Sequence, residues 1–345
     1  MKRHISFPSI DQYCTTIKNL VHHFRYIGKD ENGDPIYDNV KELPILTFTG
    51  TEKLHGTNSS FCYDIDTEEE WIQSRQRIIT PVSDNAGFAF FVEGHKDCFH
   101  NMLNDIITEN NLKNGTICIF GEFCGANIQK GVALQHLPKM FVIFDIKHVD
   151  QDENVSWLDY YCEPDSDNSI YHVNNFSKWS VDVDLNNPKL IQNTLIDITM
   201  DIEKESHVGK YFGITLESEG KTTIGEGIIW RCKLNDGSVA RVKIKGEKHQ
   251  NSKVKTLANV DTEKLESIND FITYACTENR MNQMKTDSSE FVDISDIKNV
   301  GFFIRKMSQD ILKEEIDAIV NSGLEWKDVA RAISKRSSEW FVKSL

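Results

Sequence analysis

The chain has 345 residues, of which 39% are hydrophobic and 27% charged, and its formal net charge is −14 at pH 7. This length leaves room for about two domains with packed cores. The acidic balance argues against a general electrostatic nucleic-acid binder, because such proteins neutralise phosphates with a basic surface. Apolar runs stay far below the ~20 residues of a membrane helix, and the N-terminus shows no apolar signal core, so we expect a cytoplasmic protein without a membrane partner.

The first two thirds of the chain, up to about Lys255, consist mainly of short runs rich in Val, Ile, Phe and Thr, separated by Gly, Asn and Asp. Such runs are typical of β-strands joined by turns. The predicted strands are 45–51, 58–63, 71–77, 115–123, 140–149, 225–234 and 238–245. A polar hairpin is predicted over 28–39 and a helix over 91–110.

After Thr256 the apolar residues recur at helical spacing. They are Leu265, Ile268, Phe271, Ile272 and Ala275, then Phe302, Ile304, Met307, Ile311, Leu312, Ile316 and Ile319, and finally Val329, Ala332, Ile333, Trp340 and Phe341. We therefore predict an α+β protein with a β-rich domain over residues 1–255 and a small all-α domain over residues 256–345.

The eight cysteines are scattered and form no C-x-x-C pair, unlike the dense framework of a small disulfide-rich domain. We interpret them as mostly buried, reduced thiols. His95, Cys98 and His100 could supply three zinc ligands, but no second ligand cluster stands near them in the sequence. A tetrahedral site usually needs four ligands, so the spacing gives little support to a zinc site.

A short polar turn follows the predicted strand 45–51 and reads Glu52-Lys53-Leu54-His55-Gly56-Thr57-Asn58. Lys53 is either an ordinary turn residue or a nucleophile. In general a lysine side chain attacks at neutral pH only where desolvation or neighbouring positive charge lowers its pKa. A nucleophilic lysine therefore implies other cations nearby.

Cations are concentrated between residues 231 and 255. They are Arg231, Lys233, Arg241, Lys243, Lys245, Lys248, Lys253 and Lys255. Strand alternation puts Lys243 and Lys245 on the same face. Two ammonium groups on one face are costly unless they face an anion such as a triphosphate. The segment is thus either a solvated charged face or a groove for a phosphate-bearing ligand.

Three further fragments fit a nucleotide site. Glu122, in Phe120-Gly121-Glu122, and Glu226, in Gly225-Glu226-Gly227, are acids beside glycines at the ends of apolar strands. Phe144, within the strand 140–149, offers a stacking face for a base. Each fragment also has a simpler interpretation, because such acids are common in turns and an aromatic residue on a strand usually belongs to the core. Their order along the chain is more specific than any one of them.

That order resembles the motif series of the covalent nucleotidyltransferases, the superfamily of polynucleotide ligases and capping enzymes. The series comprises Lys53-x-His55-Gly56-x-Asn58, Ser74-Arg75, Phe120-Gly121-Glu122, the Phe144 strand, Glu226-Gly227 and Lys243-x-Lys245. DNA ligases and capping enzymes typically have Lys-x-Asp-Gly, whereas the string with His55 and Asn58 looks like the RNA ligase 2 family of phage and RNA-editing ligases. Residues 121–125 and 128–130 also match that family. The resemblance covers about 46–248 and, more weakly, 277–315.

The resemblance implies an ATP-dependent RNA ligase with an antiparallel-sheet nucleotidyltransferase domain. Such an enzyme would join a 5′-phosphate to a 3′-hydroxyl through a lysyl–AMP intermediate and an adenylylated 5′ end. The implied cofactors are ATP, with AMP as the covalent adduct, and Mg²⁺ or Mn²⁺. The implied partner is RNA with those ends, such as a nicked duplex. We expect a monomer, located in the host cytoplasm if the protein is phage-encoded.

The resemblance also implies a role for each matching residue. Lys53 would attack the α-phosphorus of ATP, and His55 and Asn58 would act at the phosphates in later steps. The implied nucleotide contacts are Glu52 to the purine, Arg75 near the sugar or phosphate, Glu122 to the ribose, Phe144 on the adenine, and Lys243 and Lys245 to the AMP phosphate. Glu226 would help to hold the divalent metal or its water. In the helical tail, Arg280, Asp310 and Glu314 would engage the polynucleotide.

Two alternatives stay open from the sequence alone. A DNA ligase or a GTP-using capping enzyme would have aspartate where this chain has His55, and a small β-barrel domain where it has a helical tail. A non-catalytic RNA end-binding protein is the other alternative, although Lys53, Lys243 and Lys245 are all present. The chain departs from the family pattern at 83–91 and in a longer N-terminal arm.

Overall fold

The computed structural model describes residues 2–38, 41–84, 86–126, 128–246, 268–286, 296–322 and 324–345. The chain divides into two compact units. The sheet unit comprises Met1–Ile10 and Leu20–Ile244, and the helical unit comprises Asp11–Asn19 and Lys245–Leu345. The predicted boundary between residues 255 and 256 lies outside the described residues and stays a prediction.

The strands and helices are numbered in chain order. The strands are β1 Tyr26–Lys29, β2 Pro35–Tyr37, β3 Ile45–Glu52, β4 Gly56–Asp64, β5 Glu69–Ser74, β6 Ile78–Ile79, β7 Thr116–Cys124, β8 Met140–Val149, β9 Val155–Leu158, β10 Ile170–His172, β11 Lys178–Asp184, β12 Gly227–Lys233 and β13 Val239–Lys245. The helices are α1 Tyr13–Arg25, α2 Phe88–Gly94, α3 Lys96–Glu109, α4 Gln192–Lys204, α5 His207–Tyr211, α6 Ile268–Ala275, α7 Glu278–Thr286, α8 Val300–Asn321 and α9 Trp326–Lys343.

The larger sheet of the sheet unit has the strand order β10-β8-β7-β4-β5-β6, and β9 also pairs with β8. Its pairs are antiparallel except for β10 with β8. Helices α2 and α3 cover one face, where Phe88 and Phe99 pack in one core with Ile119 and Phe123 of β7. Because successive strand residues point to opposite faces, Glu122 of β7 lies on the face away from these helices.

The smaller sheet has the order β11-β3-β12-β13. One face is buried and mostly apolar, with Phe48 of β3 and Trp230 of β12 among its residues. Gly50 is required on this face, since a Cβ there would lie 2.7 Å from the Trp230 ring. The alternation of β3 puts Glu52 on the buried face and Thr51 on the opposite, polar face.

The predicted α+β class is confirmed, with largely antiparallel sheets followed by C-terminal helices. The strand predicted over 140–149 is β8 with the same bounds, and the hairpin predicted over 28–39 is formed by β1 and β2. The single helix predicted over 91–110 is wrong, because α2 ends at Gly94 and α3 begins at Lys96. Glycine weakens a helix through its backbone entropy, which explains the break.

The helical unit has its own apolar core. Its buried residues include Phe271, Met281, Phe303, Met307, Ile311, Ile333 and Phe341. Residues 11–19 join this unit, which the sequence did not predict: the Gln12 side-chain amide donates to the Glu314 carbonyl at 2.7 Å, and the Thr15 hydroxyl donates to Asp317 at 2.5 Å. Within the described ranges, no helix is long and apolar enough to cross a bilayer.

Arg280 lies fully buried in the helical unit. Its guanidinium is 2.7 Å from a Glu315 oxygen and 3.1 Å from an Asp310 oxygen, and it donates to the Ala275 carbonyl at 2.8 Å. The Tyr274 hydroxyl donates to the other oxygen of Glu315 at 2.7 Å. A buried charge needs partners of this kind, so the group ties together α6, α7 and α8.

Removing this guanidinium should destabilise the protein. We expect Arg280→Ala to lower the free energy of unfolding by about 3–5 kcal/mol, because Asp310 and Glu315 then lose their buried counter-charge. Arg305→Ala, which removes an exposed arginine from α8, should change it by less than about 0.5 kcal/mol. Denaturant titrations of both variants measure the difference, and equal midpoints would contradict the structural role of Arg280.

Candidate active site

Lys53 comes directly after β3, where the chain leaves the smaller sheet. Its backbone N–H donates to the Gly227 carbonyl at 2.8 Å, which holds it beside the start of β12. Its Nζ lies 2.6 Å from Oε2 of Glu226. The Lys53 side chain is 23% exposed and that of Glu226 only 2%, so an ammonium that solvent can reach rests on a buried carboxylate.

His55 and Gly56 extend this group. Nδ1 of His55 lies 3.0 Å from the same Oε2 of Glu226, and the Gly56 N–H donates to Oε1 of Glu122 at 2.9 Å. Gly56 has no room for a side chain, since a Cβ would lie 2.7 Å from Cβ of Cys124. The structure therefore brings Lys53 and His55 together with Glu122 and Glu226, which lie far from them in the sequence.

Glu226 is flanked by glycines for steric and conformational reasons. A Cβ on Gly225 would lie 2.7 Å from Oε1 of Glu52, and Gly227 has a φ of 151°, where side-chain-bearing residues are strained. The Gly225 N–H also donates to the Ile202 carbonyl of α4 at 2.9 Å. These constraints set the backbone from which Glu226 reaches Lys53.

Glu52 is buried beside the start of α5. The Ser206 hydroxyl donates to its Oε1 at 2.5 Å, and the Val208 N–H donates to its Oε2 at 2.9 Å. Burial raises the pKa of Glu52 to about 7, and these two donors oppose the rise. The sequence analysis missed Ser206, whose only signal is that serine favours the N-cap position that it occupies on α5.

Burial likewise raises the pKa of Glu122 to about 7, although the charge of Lys53 opposes it. Glu122 faces Asn58 across the β4–β7 pair, and Asn58 is partly buried. Across the described part of the chain, no three His, Cys, Asp or Glu side chains are grouped to hold a metal ion. The acids of this site therefore do not form a protein cage for a cation.

Phe144 lies at a register shift in the β7–β8 pair. Its ring is partly buried and meets Phe7 edge-on at 5.1 Å, a neighbour from the N-terminal arm that the sequence analysis missed. The next residue, Asp145, is 2.9 Å from Arg241 and 3.2 Å from Arg231. An acid inside an apolar strand is a signal for such a buried ion pair, and it could have been recognised in the sequence.

Lys243 and Lys245 alternate with the buried residues Val242 and Ile244 on β13. They therefore share the strand face of Arg241, which contacts Asp145 of β8. Both lysines are partly buried.

Arg75 is exposed in the turn after β5, where the Ser74 N–H donates to the Arg77 carbonyl at 2.8 Å. The strand predicted over 71–77 therefore ends at Ser74. Ser74 of β5 pairs with Ser59 of β4, and Ser59 directly follows Asn58. Arg75 therefore lies one strand away from the strand that carries Asn58.

Three predicted polynucleotide contacts lie in the helical unit. Arg280 pairs with Asp310 and Glu315, and its full burial does not support the expected phosphate contact. Glu314 is mostly buried, and its carbonyl accepts from Gln12. The sequence analysis missed Glu315, which occupies the core stripe of Met307 and Ile311 at helical spacing.

The residues of the zinc alternative have other partners. Nδ1 of His95 is 2.7 Å from the Phe91 carbonyl, and Nε2 of His100 is 2.7 Å from Glu70. All eight cysteines are free, and five of them are buried.

A family model described as RNA ligase matches residues 46–245, more than half of the chain. The chain belongs to the RNA ligase family. The matched range runs from β3 to the end of β13 and contains the whole Lys53, His55, Glu122 and Glu226 group.

Solved structures similar to this RNA ligase family member include two of a Naegleria gruberi RNA ligase. One is a mutant with ATP and Mn (16% identity) and the other is with PPi (17% identity); each has a TM-score of 0.40 and covers 70% of this chain and 56% of that one. An archaeal ATP-dependent RNA ligase has 10% identity and a TM-score of 0.37, covering 98% of this chain and 65% of that one. The chain thus spans less than two thirds of these proteins. No match was found among curated proteins.

The raised pKa of Glu122 predicts a pH-dependent stability in this RNA ligase family member. The folded state holds the Glu122 proton more tightly than the unfolded chain, where the pKa has its ordinary value of 4.5. The stability that this proton contributes is therefore present below pH 4.5, falls as the pH rises, and is fully lost above about pH 7. Glu122→Gln should therefore gain about 1–2 kcal/mol relative to the parent between about pH 5 and about pH 8.

Urea titrations at the two pH values measure this gain. Glu93→Gln, at an exposed position of α2, is the matched control and should follow the parent at both. A Glu122→Gln protein with the parent's pH dependence would contradict the assigned burial of this carboxyl.

Proposed function

We propose that this member of the RNA ligase family is an ATP-dependent RNA ligase that works through a lysyl–AMP intermediate. The observation that carries the proposal is the contact of Lys53 with Glu226 at 2.6 Å, next to His55 and Glu122. Lys53 is reachable from solvent and lies at a buried carboxylate that can accept its proton, and the positive charge needed to activate it would come from Lys243 and Lys245. The similar Naegleria gruberi RNA ligase was solved with ATP and Mn and with PPi, and we propose ATP and a divalent cation as the cofactors of this chain.

In the first step, Nζ of Lys53 attacks the α-phosphorus of ATP, a P–N bond forms, and the P–O bond to pyrophosphate breaks. The ammonium must lose a proton before its lone pair can attack, and the carboxylate of Glu226 is the nearest acceptor. His55 contacts the same oxygen of Glu226 and orients it. The lysine and its acceptor are thus positioned before the nucleotide binds.

Lys243 and Lys245 supply the positive charge for the phosphates. Charge develops on the α-phosphate and on pyrophosphate during the transfer, and preorganised cations stabilise it. In this proposal Glu122 binds the ribose hydroxyls and Phe144 packs against the adenine. Because both oxygens of Glu52 already accept hydrogen bonds from the protein, its surroundings favour a role in positioning Lys53 over the expected purine contact.

In the later steps the AMP passes from Lys53 to the 5′-phosphate of RNA, and the 3′-hydroxyl then attacks that phosphorus with AMP leaving. His55, Asn58 and Arg75 are the proposed contacts to the phosphates in these steps. The proposed substrate is a 5′-phosphate and 3′-hydroxyl pair, as at a nick in duplex RNA.

The residues present fit a divalent cation that is held only in part by protein. Mg²⁺ usually takes one or two carboxylates together with substrate phosphates and water. Glu226 would provide such a carboxylate whenever it does not hold the proton of Lys53, and Glu122 lies close enough to influence it electrostatically. When bound, the cation would neutralise charge on the phosphates.

A DNA ligase or capping-type enzyme is the second candidate, and a non-catalytic RNA end-binding protein the third. The helical unit in place of a small β-barrel disfavours the second candidate. Incubation with labelled ATP or GTP separates a ligase from a capping-type enzyme, which would be labelled from GTP alone, and from a binding protein, which would be labelled from neither. Sealing assays on nicked RNA and nicked DNA then separate an RNA ligase from a DNA ligase.

Replacing Lys53 should abolish the covalent intermediate. We expect Lys53→Ala and Lys53→Arg to acquire no label from radiolabelled ATP, because alanine has no nucleophile and a guanidinium stays protonated. Lys113→Arg, at an exposed position before β7, is the matched control and should be labelled like the parent. A labelled Lys53→Ala protein would show that another residue is the nucleophile.

Lys243→Ala and Lys245→Ala should each slow adenylylation by at least ~10²-fold, the scale for losing one preorganised contact to a reacting phosphate. Lys113→Ala should leave the rate unchanged, since that lysine is remote from the site turn. The rate of enzyme–AMP formation under single-turnover conditions measures the effect. Parent-like rates for both variants would make the pair ordinary surface charge.

A further inference from the structure

The exposed side of the smaller sheet carries hydroxyl and cationic side chains in register. Lys178 of β11 faces Thr51 of β3, which in turn faces Ile229 of β12. In the next row, Ser180 faces Thr49, which faces Arg231. We call Thr49, Thr51, Lys178, Ser180 and Arg231 the polar face.

The polar face is open to solvent at the centre of the sheet as well as at its edge. Thr49, Lys178 and Ser180 are exposed, and Thr51 and Arg231 are partly exposed. Protein–nucleic acid hydrogen bonds to phosphate oxygens come chiefly from lysine, arginine, serine and threonine side chains, the types collected here. The face thus has the chemistry of a surface for phosphate groups.

The end of the polar face nearest Lys53 carries more cations than carboxylates, although the chain as a whole is strongly acidic and Asp182 and Asp184 follow on the same side of β11. Lys178 makes no ion pair with any residue in the described part of the chain, whereas Arg231, Lys233 and Arg241 of β12 and β13 share two carboxylates, Asp145 and Asp159. Burial lowers the pKa of His172 to about 4, and the charges of Arg231 and Lys178 lower it in the same direction.

The polar face leads directly to the reacting lysine. Thr51 is two residues before Lys53, at the end of β3 where the site turn begins. Farther from Lys53 along β3, the Thr47 hydroxyl donates to Asp182 at 2.7 Å. This carboxylate would repel a phosphate, so the polar face ends there. A polynucleotide strand bound along the rows of Lys178 and Ser180 would therefore approach Lys53 from the side of β11.

We propose that the polar face binds the phosphate backbone of the RNA strand whose end is brought to Lys53. This inference rests on the proposed function and adds to it the surface that holds the polynucleotide. The contacts are made to phosphates, so binding by this face is independent of base sequence.

The test compares two lysine-to-glutamate variants with the same net charge. Lys178→Glu changes the polar face, and Lys113→Glu changes an exposed lysine before β7, at the end of that strand away from Glu122. We expect Lys178→Glu to bind a fluorescein-labelled, 5′-phosphorylated RNA at least ~10-fold more weakly than Lys113→Glu, by fluorescence anisotropy. Lys178→Ala should reduce the slope of log affinity against log salt by about 0.7, as for one lost phosphate contact to a single strand.

Two further variants separate phosphate binding from a folding defect. Lys178→Arg should restore the affinity, because arginine keeps the charge and the donors. Ser180→Glu, on the edge strand β11, should weaken binding without removing any cation. Equal RNA binding by the Lys178→Glu and Lys113→Glu proteins would overturn the proposal and leave the face to another class of partner.

Labelling of the parent protein with ATP tests the ligase function independently of RNA binding by the polar face. If the parent forms no enzyme–AMP but the RNA affinities change as described, the polar face stands and the ligase function falls. If the parent is labelled and Lys178→Glu binds RNA like its control, the ligase function stands and the polar face falls.

Discussion

The contact between Lys53 and Glu226 is the interaction on which the rest of the site depends. It joins a residue after β3 to a residue before β12, and the pairing of those strands, with the Lys53 N–H on the Gly227 carbonyl, fixes the separation of the two charges. A buried carboxylate requires a counter-charge, and the lysine supplies it before any nucleotide is present. Binding a phosphate beside Lys53 must therefore compete with, and rearrange, a preformed ion pair.

The neighbouring acids explain why this arrangement is tolerated. Three glutamates, at positions 52, 122 and 226, lie close to one lysine, and burial raises the pKa of the first two to about 7. Near neutral pH these two carboxyls are therefore only partly ionised, which limits the repulsion among the three acids. The hydrogen bonds from Ser206, Val208 and Gly56 hold the other two carboxyls in place.

Much of the sheet unit could be predicted because its signals are local. The alternation of β8 and β13 and the ordered glycine-flanked acids depend on residues close together in the sequence. The contact of Glu52 with Ser206, more than 150 residues away, and the ion pair of Asp145 with Arg241 depend on how distant strands meet. Residues 11–19 could not be assigned to the helical unit for the same reason. The burial of Arg280 could not be predicted either, because its partner Glu315 is recognised only once the helices have packed.

The most direct measurement is tandem mass spectrometry of the protein after incubation with ATP and Mg²⁺. The account predicts a mass increase of one AMP, located on Lys53 and joined by a P–N bond that is lost in acid and kept in alkali. An adduct on another residue, or no adduct with ATP while RNA is still bound, would contradict the account.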